Sequence, residues 1–253
     1  MRLLVLPAIL VLLAGCSDRQ PEAQIVNIYA ASSLADVFHE LARDFEAEHL
    51  GVNVALTFAG SQVLRLQIEQ GAEADVFVSA NPDHMRALVA AGFIEGSPVL
   101  TRNELTLIVP LNNPAEVESF ADLPQVERLV IGTENVPVGQ YTRDVLGLAG
   151  QRFGANFESQ VMERVVSEES NVRLARAKVE LGEADAAIVY RSDAVLSDQV
   201  RSVSIPDELN VDAGYFIGII LGTQASDLAE AWIDYVLSTS SQKVFAQYGF
   251  VSP

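Results

Sequence analysis

Two periodicities take turns along this chain. Residues 25–30 are apolar and end in small side chains, and from Leu34 onward Leu34, Val37, Phe38, Leu41 and Phe45 recur at helical spacing. The pattern predicts a strand, a turn and a helix. Val52, Val54, Leu56 and Phe58 then alternate over 52–58, and Gly60-Ser61 opens a second helical stretch that ends near Gly71. A third strand over 75–80 gives way to Asn81-Pro82, an N-cap followed by proline at the first helical position, with Gly92 as the stop. Three strand-to-helix turns in succession are the alternation expected of a parallel sheet covered by helices.

A second series follows. It comprises apolar runs at 105–109 and 129–132, a helix from about 139 to 148, a strand around 161–165, a helix from about 171 to 181 closed by Gly182, and a strongly apolar strand at 185–190. Residues 215–221 are again strand-like. Leu228, Trp232, Tyr235 and Val236 make 225–237 a terminal amphipathic helix. No short repeat, low-complexity block or internal linker interrupts the series. Two such series are compatible with one large sheet or with two lobes that exchange segments. In open parallel sheets ligands sit beyond the carboxyl ends of the strands, so candidate binding groups belong at the strand-to-helix turns.

The N-terminus has a different character. Arg2 precedes an apolar run at 3–13 that is too short to span a bilayer, and the run ends in Leu13-Ala14-Gly15-Cys16. This layout predicts a lipoprotein signal peptide over 1–15, lipidation of Cys16, and a polar tether over 16–24. Without residues 1–15, whose only charge is Arg2, the chain carries 15 Lys+Arg against 34 Asp+Glu, a net charge of −19. So acidic a chain is a poor partner for nucleic acid, which binds by releasing phosphate counterions to basic side chains. One cysteine in 253 residues means that no disulfide framework holds the fold.

The turns themselves suit an anion. Ala30-Ala31-Ser32-Ser33 and Ala59-Gly60-Ser61 place small residues and a hydroxyl where the first N–H groups of a helix are unpaired and the helix dipole favours negative charge. Serine is also a common N-cap that can satisfy those donors itself, so each serine taken alone reads as a cap, and it is two such turns at the ends of adjacent strands that bring the ligand reading level with it. Pro137 and Gly139 would leave backbone donors unobstructed at a third turn, 136–141. At a fourth, 168–173, Asn171 is a candidate cap, and the acids Glu168 and Glu169 are expected in solvent. The strand before residue 190 delivers Tyr190, whose hydroxyl can donate.

Taken in order, the segments 30–34 (AASSL), 58–61 (FAGS), 67–80 (QIEQGAEADVFVSA), 136–141 (VPVGQY), 171–173 (NVR), 188–194 (IVYRSDA) and 248–250 (YGF) resemble the periplasmic molybdate-binding proteins of ABC importers. The resemblance runs over almost the whole chain after the leader. It implies a two-lobed α/β fold of the type II periplasmic-binding class, with the ligand in the cleft, lobe 1 at 25–104 plus 222–253 and lobe 2 at 105–221. It further implies an oxyanion, molybdate or tungstate, bound by hydroxyl and backbone N–H of Ser33 and Ser61, backbone N–H of Val138 and Val172, and the phenol of Tyr190. No cofactor is expected, and the implied partners are an inner-membrane permease and its ATPase, met by a monomer anchored through Cys16. Val138 departs from the alanine expected at its place, and Gly60 stands where serine is also common.

Three other readings compete. Sulfate or phosphate shares the tetrahedral shape, and a monoprotonated phosphate would favour an acceptor such as Asp193. A secreted hydrolase would need a catalytic histidine, but His39, His49 and His84 all fall on or beside predicted helices, where they read as surface or capping residues, and no G-x-S-x-G elbow surrounds Ser33 or Ser61. An adhesion or scaffold lipoprotein could also carry such a fold.

Overall fold

The computed structural model describes residues 23–253; residues 1–15 and Cys16, with the leader and lipid site expected there, lie outside the described residues. The chain runs β1 (Gln24–Ala31), a 3₁₀ turn (Ser32–Leu34), α1 (Ala35–Glu48), β2 (Val52–Ala59), α2 (Ser61–Glu69), β3 (Val76–Ser79), α3 (Pro82–Ala90) and β4 (Val99–Asn103). It continues through β5 (Leu105–Pro110), β6 (Leu129–Gly132), α4 (Pro137–Phe153), α5 (Phe157–Met162), β7 (Val165–Glu169), α6 (Val172–Glu180), β8 (Ala186–Tyr190), α7 (Arg191–Val195) and β9 (Val200–Val203). The last elements are β10 (Ala213–Ile219), α8 (Ser226–Leu237) and α9 (Thr239–Gln247).

These strands form two five-stranded sheets with the same plan, β2-β1-β3-β10-β4 and β7-β6-β8-β5-β9. In each, the first three strands are parallel, as the alternation of strand and helix requires. The fourth strand runs antiparallel to both neighbours: β10 against β3 and β4, β5 against β8 and β9. β5 and β10 are also the strands that follow the two crossings of the chain between sheets, so each sheet is completed by a strand arriving from the other. The result is two lobes, not one large sheet.

That topology moves one boundary. Residues 213–221, expected in lobe 2, belong with the first sheet, because β10 pairs with β3 and β4. Their apolar run reads the same in either sheet, which is why pattern alone assigned them to their sequence neighbours. The strand expected around 161–165 is also displaced. Phe157 and Val161 sit one helical turn apart and are both buried, Phe157 packing against Phe120 and Phe153, so 157–162 is α5, and the strand begins at Val165 as the exposed edge of its sheet. The chain does not end its helices at Leu237. Ser238 accepts a hydrogen bond from the N–H of Ser241 and starts α9, whose polar sequence hides a buried Phe245.

The buried apolar side chains of both sheets join in one connected cluster, with a smaller one formed by Leu64, Ile68, Phe77, Met85 and Leu88 beneath α2 and α3. The aromatic centre of lobe 1 is Trp232, against whose ring Phe38 and Phe45 pack edge-on at 5.5 and 5.4 Å. Among the described residues no helix is long and apolar enough to cross a membrane.

Candidate functional site: a cleft of helix N-termini

Four helix starts and one strand end converge where the lobes meet. Ser33 lies in the 3₁₀ turn leading into α1, Ser61 begins α2, Val138 is the second residue of α4, Val172 begins α6, and Tyr190 closes β8. All five line a single cavity, together with Ala31, Ser32, Ala59, Gly60, Ala80, Val136, Pro137 and Asn171. All five are also buried, at 1–3% exposure. The centre of a water-sized sphere can occupy only about 10 Å³ of the cavity, close to the least a single water needs, so the lobes stand closed on each other.

The hydrogen bonding decides between ligand group and cap. Neither serine caps its own helix: the 3₁₀ turn, α2 and α4 have N-caps that offer no side-chain hydrogen bond, Ala31, Gly60 and Val136. Instead Ser61 Oγ accepts from the N–H of Ala80 at 3.1 Å, which leaves its own hydroxyl proton free. Ser33 Oγ shares a 2.7 Å hydrogen bond with Tyr215 Oη; when Tyr215 donates, the Ser33 proton is free as well. Of the described helices whose starts line the cavity, only α6 is capped by a side chain, Asn171 Oδ1 accepting from the N–H of Leu174, as its sequence suggested. Tyr190 Oη is buried with no hydrogen-bond partner among the described residues. Burial, followed by the neighbouring Tyr215, pushes its pKa well above the ordinary phenol value, so it stays a donor.

The backbone gives these turns their shape. Gly139 packs so closely on the end of β6 that a Cβ there would lie 2.0 Å from the carbonyl oxygen of Thr133 and 2.5 Å from that of Gly132. A Cβ on Gly132 would in turn meet Val138 Cγ1 at 2.9 Å. The larger side chain at 138 is therefore seated in space that glycine at 132 leaves open, and the N–H of Val138 keeps its place in the first turn.

Among the described residues no Lys, Arg, Asp or Glu lines the cavity. The nearby arginines are held elsewhere. Arg143 donates to the carbonyls of Gly132 and Gly139 and pairs with Glu168, Arg173 pairs with Asp36 at 2.7 Å, and Arg191 lies 3.6 Å from Glu104. Of the two acids expected in solvent, Glu168 is exposed, but Glu169 is half-buried, accepting from Ser167 and facing Lys178 at 3.6 Å. Asp193 is fully buried but outside the cavity lining; burial, partly offset by Arg176 and Arg173, pushes its carboxyl up to about 7.

His84 corrects the expectation of surface or capping histidines. It is buried in α3, its Nε2 bonds to the carbonyl of Asn135 in the opposite lobe at 2.9 Å, and burial lowers its pKa. His39 is exposed against Phe58, and His49 sits at the end of α1 with Nδ1 on the carbonyl of Phe45.

Wider grooves occur elsewhere, but they are carboxylate-lined. One of about 560 Å³ beside the cleft is bordered by Asp83, Glu134, Asp144 and Asp212, which outnumber its two arginines, Arg102, paired with Asp212, and Arg143, paired with Glu168. Another, of about 700 Å³, surrounds Asp75, which already accepts from Asn27 and Thr223. Both suit an anion less well than the small cavity. Among the described residues no cluster of three or more His, Cys, Asp or Glu side chains is arranged to hold a metal ion.

A two-lobed α/β molecule whose cleft presents only uncharged donors to an enclosed cavity is a binder of a small solute. The chain belongs to the bacterial extracellular solute-binding protein family, whose model matches residues 26–251. It is 33% identical over 253 residues to the putative ABC transporter substrate-binding lipoprotein YvgL of Bacillus subtilis, covering 95% of this chain and 94% of that one. It is also 33% identical over 234 residues to the molybdate-binding protein ModA of Mycobacterium tuberculosis, covering 91% and 86%. The solved substrate-binding domain of a putative molybdenum ABC transporter from Clostridium difficile superposes with a TM-score of 0.68 at 27% identity, covering 90% of this chain and 99% of that one. The protein is thus a solute-binding protein with the type II periplasmic-binding architecture, not an enzyme. It works outside the cytoplasm with a membrane permease and its ATPase.

Proposed function

We propose that this protein captures molybdate, and with it tungstate, for delivery to an ABC importer, and that it does so without any cofactor. The observation that carries this reading is the convergence of five uncharged donor groups from both lobes, at Ser33, Ser61, Val138, Val172 and Tyr190, on one cavity that among the described residues is lined by neither cation nor carboxylate. A desolvated dianion there would be held by oriented dipoles: the N–H groups at four helix starts, each carrying fractional positive charge, and three hydroxyls. The name of the Mycobacterium tuberculosis relative supports molybdate in particular. Phosphate is disfavoured, because its monoprotonated form favours a strong acceptor such as a carboxylate, and among the described residues none lines the cavity. Lipidation of Cys16 after removal of 1–15 and action as a monomer complete the reading.

Calorimetric titration of the 23–253 domain with molybdate, tungstate, sulfate and phosphate in parallel tests it. Tight binding of the first two, with sulfate weaker and phosphate weakest, is expected; equal or stronger binding of phosphate would overturn it. For the anchor, Cys16→Ser should move the full-length chain from the membrane fraction to the soluble one, and a variant that stays with the membrane contradicts lipidation there.

A further inference from the structure

We propose that Gly60 and Gln62 form a clasp that sets how far the two lobes close, and that Gly60 acts through the side chain it lacks. The inference rests on the cleft being the binding site. Gly60 precedes α2 in lobe 1, and its carbonyl accepts from the N–H groups of Val63 and Leu64, at 2.9 and 3.2 Å. Its backbone, φ −64° and ψ 141°, is one that any residue adopts. Conformation therefore does not require glycine here; the opposite lobe does. A Cβ at residue 60 would stand 2.4 Å from the carbonyl oxygen of Ser170, just ahead of α6. That oxygen is backbone and cannot swing aside, so with any larger residue the lobes must stop short of this separation.

Gln62 turns the same contact into an attraction. Its side chain folds over Gly60, and Nε2 donates to Ser170 O at 2.8 Å. The carbonyl partner fixes the amide orientation, since Oε1 would repel it. The space over Gly60 is filled by that amide, whose Oε1 and Nε2 lie 2.5 and 2.6 Å from where the Cβ would be. A substitution at 60 would thus meet the opposite lobe and also displace the clasp. The bond joins the lobes beside the cavity that Gly60 and Ser61 line, where closure traps the ligand, so its loss should accelerate release more than it slows capture.

Gly60→Ala, Gln62→Ala and the double variant test this, with molybdate affinity by calorimetry, release and capture rates by stopped flow, and ligand-free melting temperature. Closure is read with and without molybdate from spin labels at Val63→Cys and Leu174→Cys, both exposed and on opposite lobes, in the 23–253 domain, which lacks Cys16. Gln62→Ala should weaken binding about tenfold, almost wholly through faster release. Gly60→Ala should weaken it by on the order of tenfold to a hundredfold, lengthen the label distance, and not be rescued in the double variant, because the Ser170 contact remains. Ligand-free melting should show each variant cooperatively folded, so that a change in release or label distance is not a loss of fold. A Gly60→Ala protein that closes to the wild-type label distance, or releases molybdate at the wild-type rate, overturns the proposal. A wild-type protein that binds none of the four oxyanions fails the functional reading instead, and the label distance still decides whether residue 60 limits closure.

Discussion

Replacing Tyr190 by phenylalanine removes one oxygen and almost nothing else. The ring is fully buried, packed at 5.8 Å and 62° against Tyr215, and phenylalanine preserves that packing. The hydroxyl has no partner among the described residues and lines the cavity. If it donates to a bound dianion, its loss costs about 1.5–3 kcal/mol, or about 10- to 100-fold in affinity at roughly 1.4 kcal/mol per factor of ten. In the closed protein without ligand the same hydroxyl is a buried, unsatisfied group that costs about 1–3 kcal/mol. Tyr190→Phe should therefore bind molybdate more weakly in calorimetry while melting, ligand-free, at or above the wild-type temperature. Because burial holds the phenol protonated well above its ordinary range, wild-type affinity should not fall between about pH 7 and 9 through this group. A variant with wild-type affinity would show that Tyr190 does not touch the ligand, and one that melts well below wild type would show that its hydroxyl has a structural partner.

Three further outcomes are expected. Ser61→Ala and Ser33→Ala should each reduce affinity about tenfold or more, whereas Arg143→Ala, Arg173→Ala and Arg191→Ala should leave molybdate bound; calorimetry in which the arginines matter and the serines do not would reverse the assignment. Gly139→Ala drives a Cβ into two carbonyl oxygens and should lower stability by about 1–3 kcal/mol or more, read as ligand-free melting; an unchanged melt would show that β6 and α4 separate easily. The Asp193 carboxyl has a folded pKa near 7 against 3.8 unfolded, chiefly through burial. Its contribution to stability is thus fully present below about pH 4 and lost as pH rises through 7. Asp193→Asn should stabilise the protein more at pH 8 than at pH 4 in thermal denaturation, and an equal gain at both would remove the buried charge as the cause.

Much of this molecule is written in local patterns, and the exceptions have physical reasons. The turns at 30–34, 58–61, 136–141 and 171–173 were readable because glycine, proline and serine punctuate strands and helices whatever lies around them. What pattern could not supply was partnership. β10 has the same apolar run in either sheet, and only its pairing with β3 and β4 places it in lobe 1. The strand at 165–169 is an edge strand with alternating exposure, and the apolar pair before it belongs to α5. At the site, sequence left each serine balanced between cap and ligand group, and the contacts of Ser61 with Ala80 and Ser33 with Tyr215 remove the capping role. The cross-cleft bonds of Gln62 and His84 join residues 108 and 51 positions apart. No spacing within either segment foretells them.

The central claim is that uncharged donors from both lobes hold the ion. A crystal structure of the tungstate complex, with the metal located by its anomalous scattering, tests it most directly. The peak is expected inside the cavity, with oxyanion oxygens about 2.7–3.2 Å from the hydroxyls of Ser33, Ser61 and Tyr190 and the backbone nitrogens of Val138 and Val172. A peak in the carboxylate-lined groove, or an ion held by Arg143, Arg173 or Arg191, would contradict it.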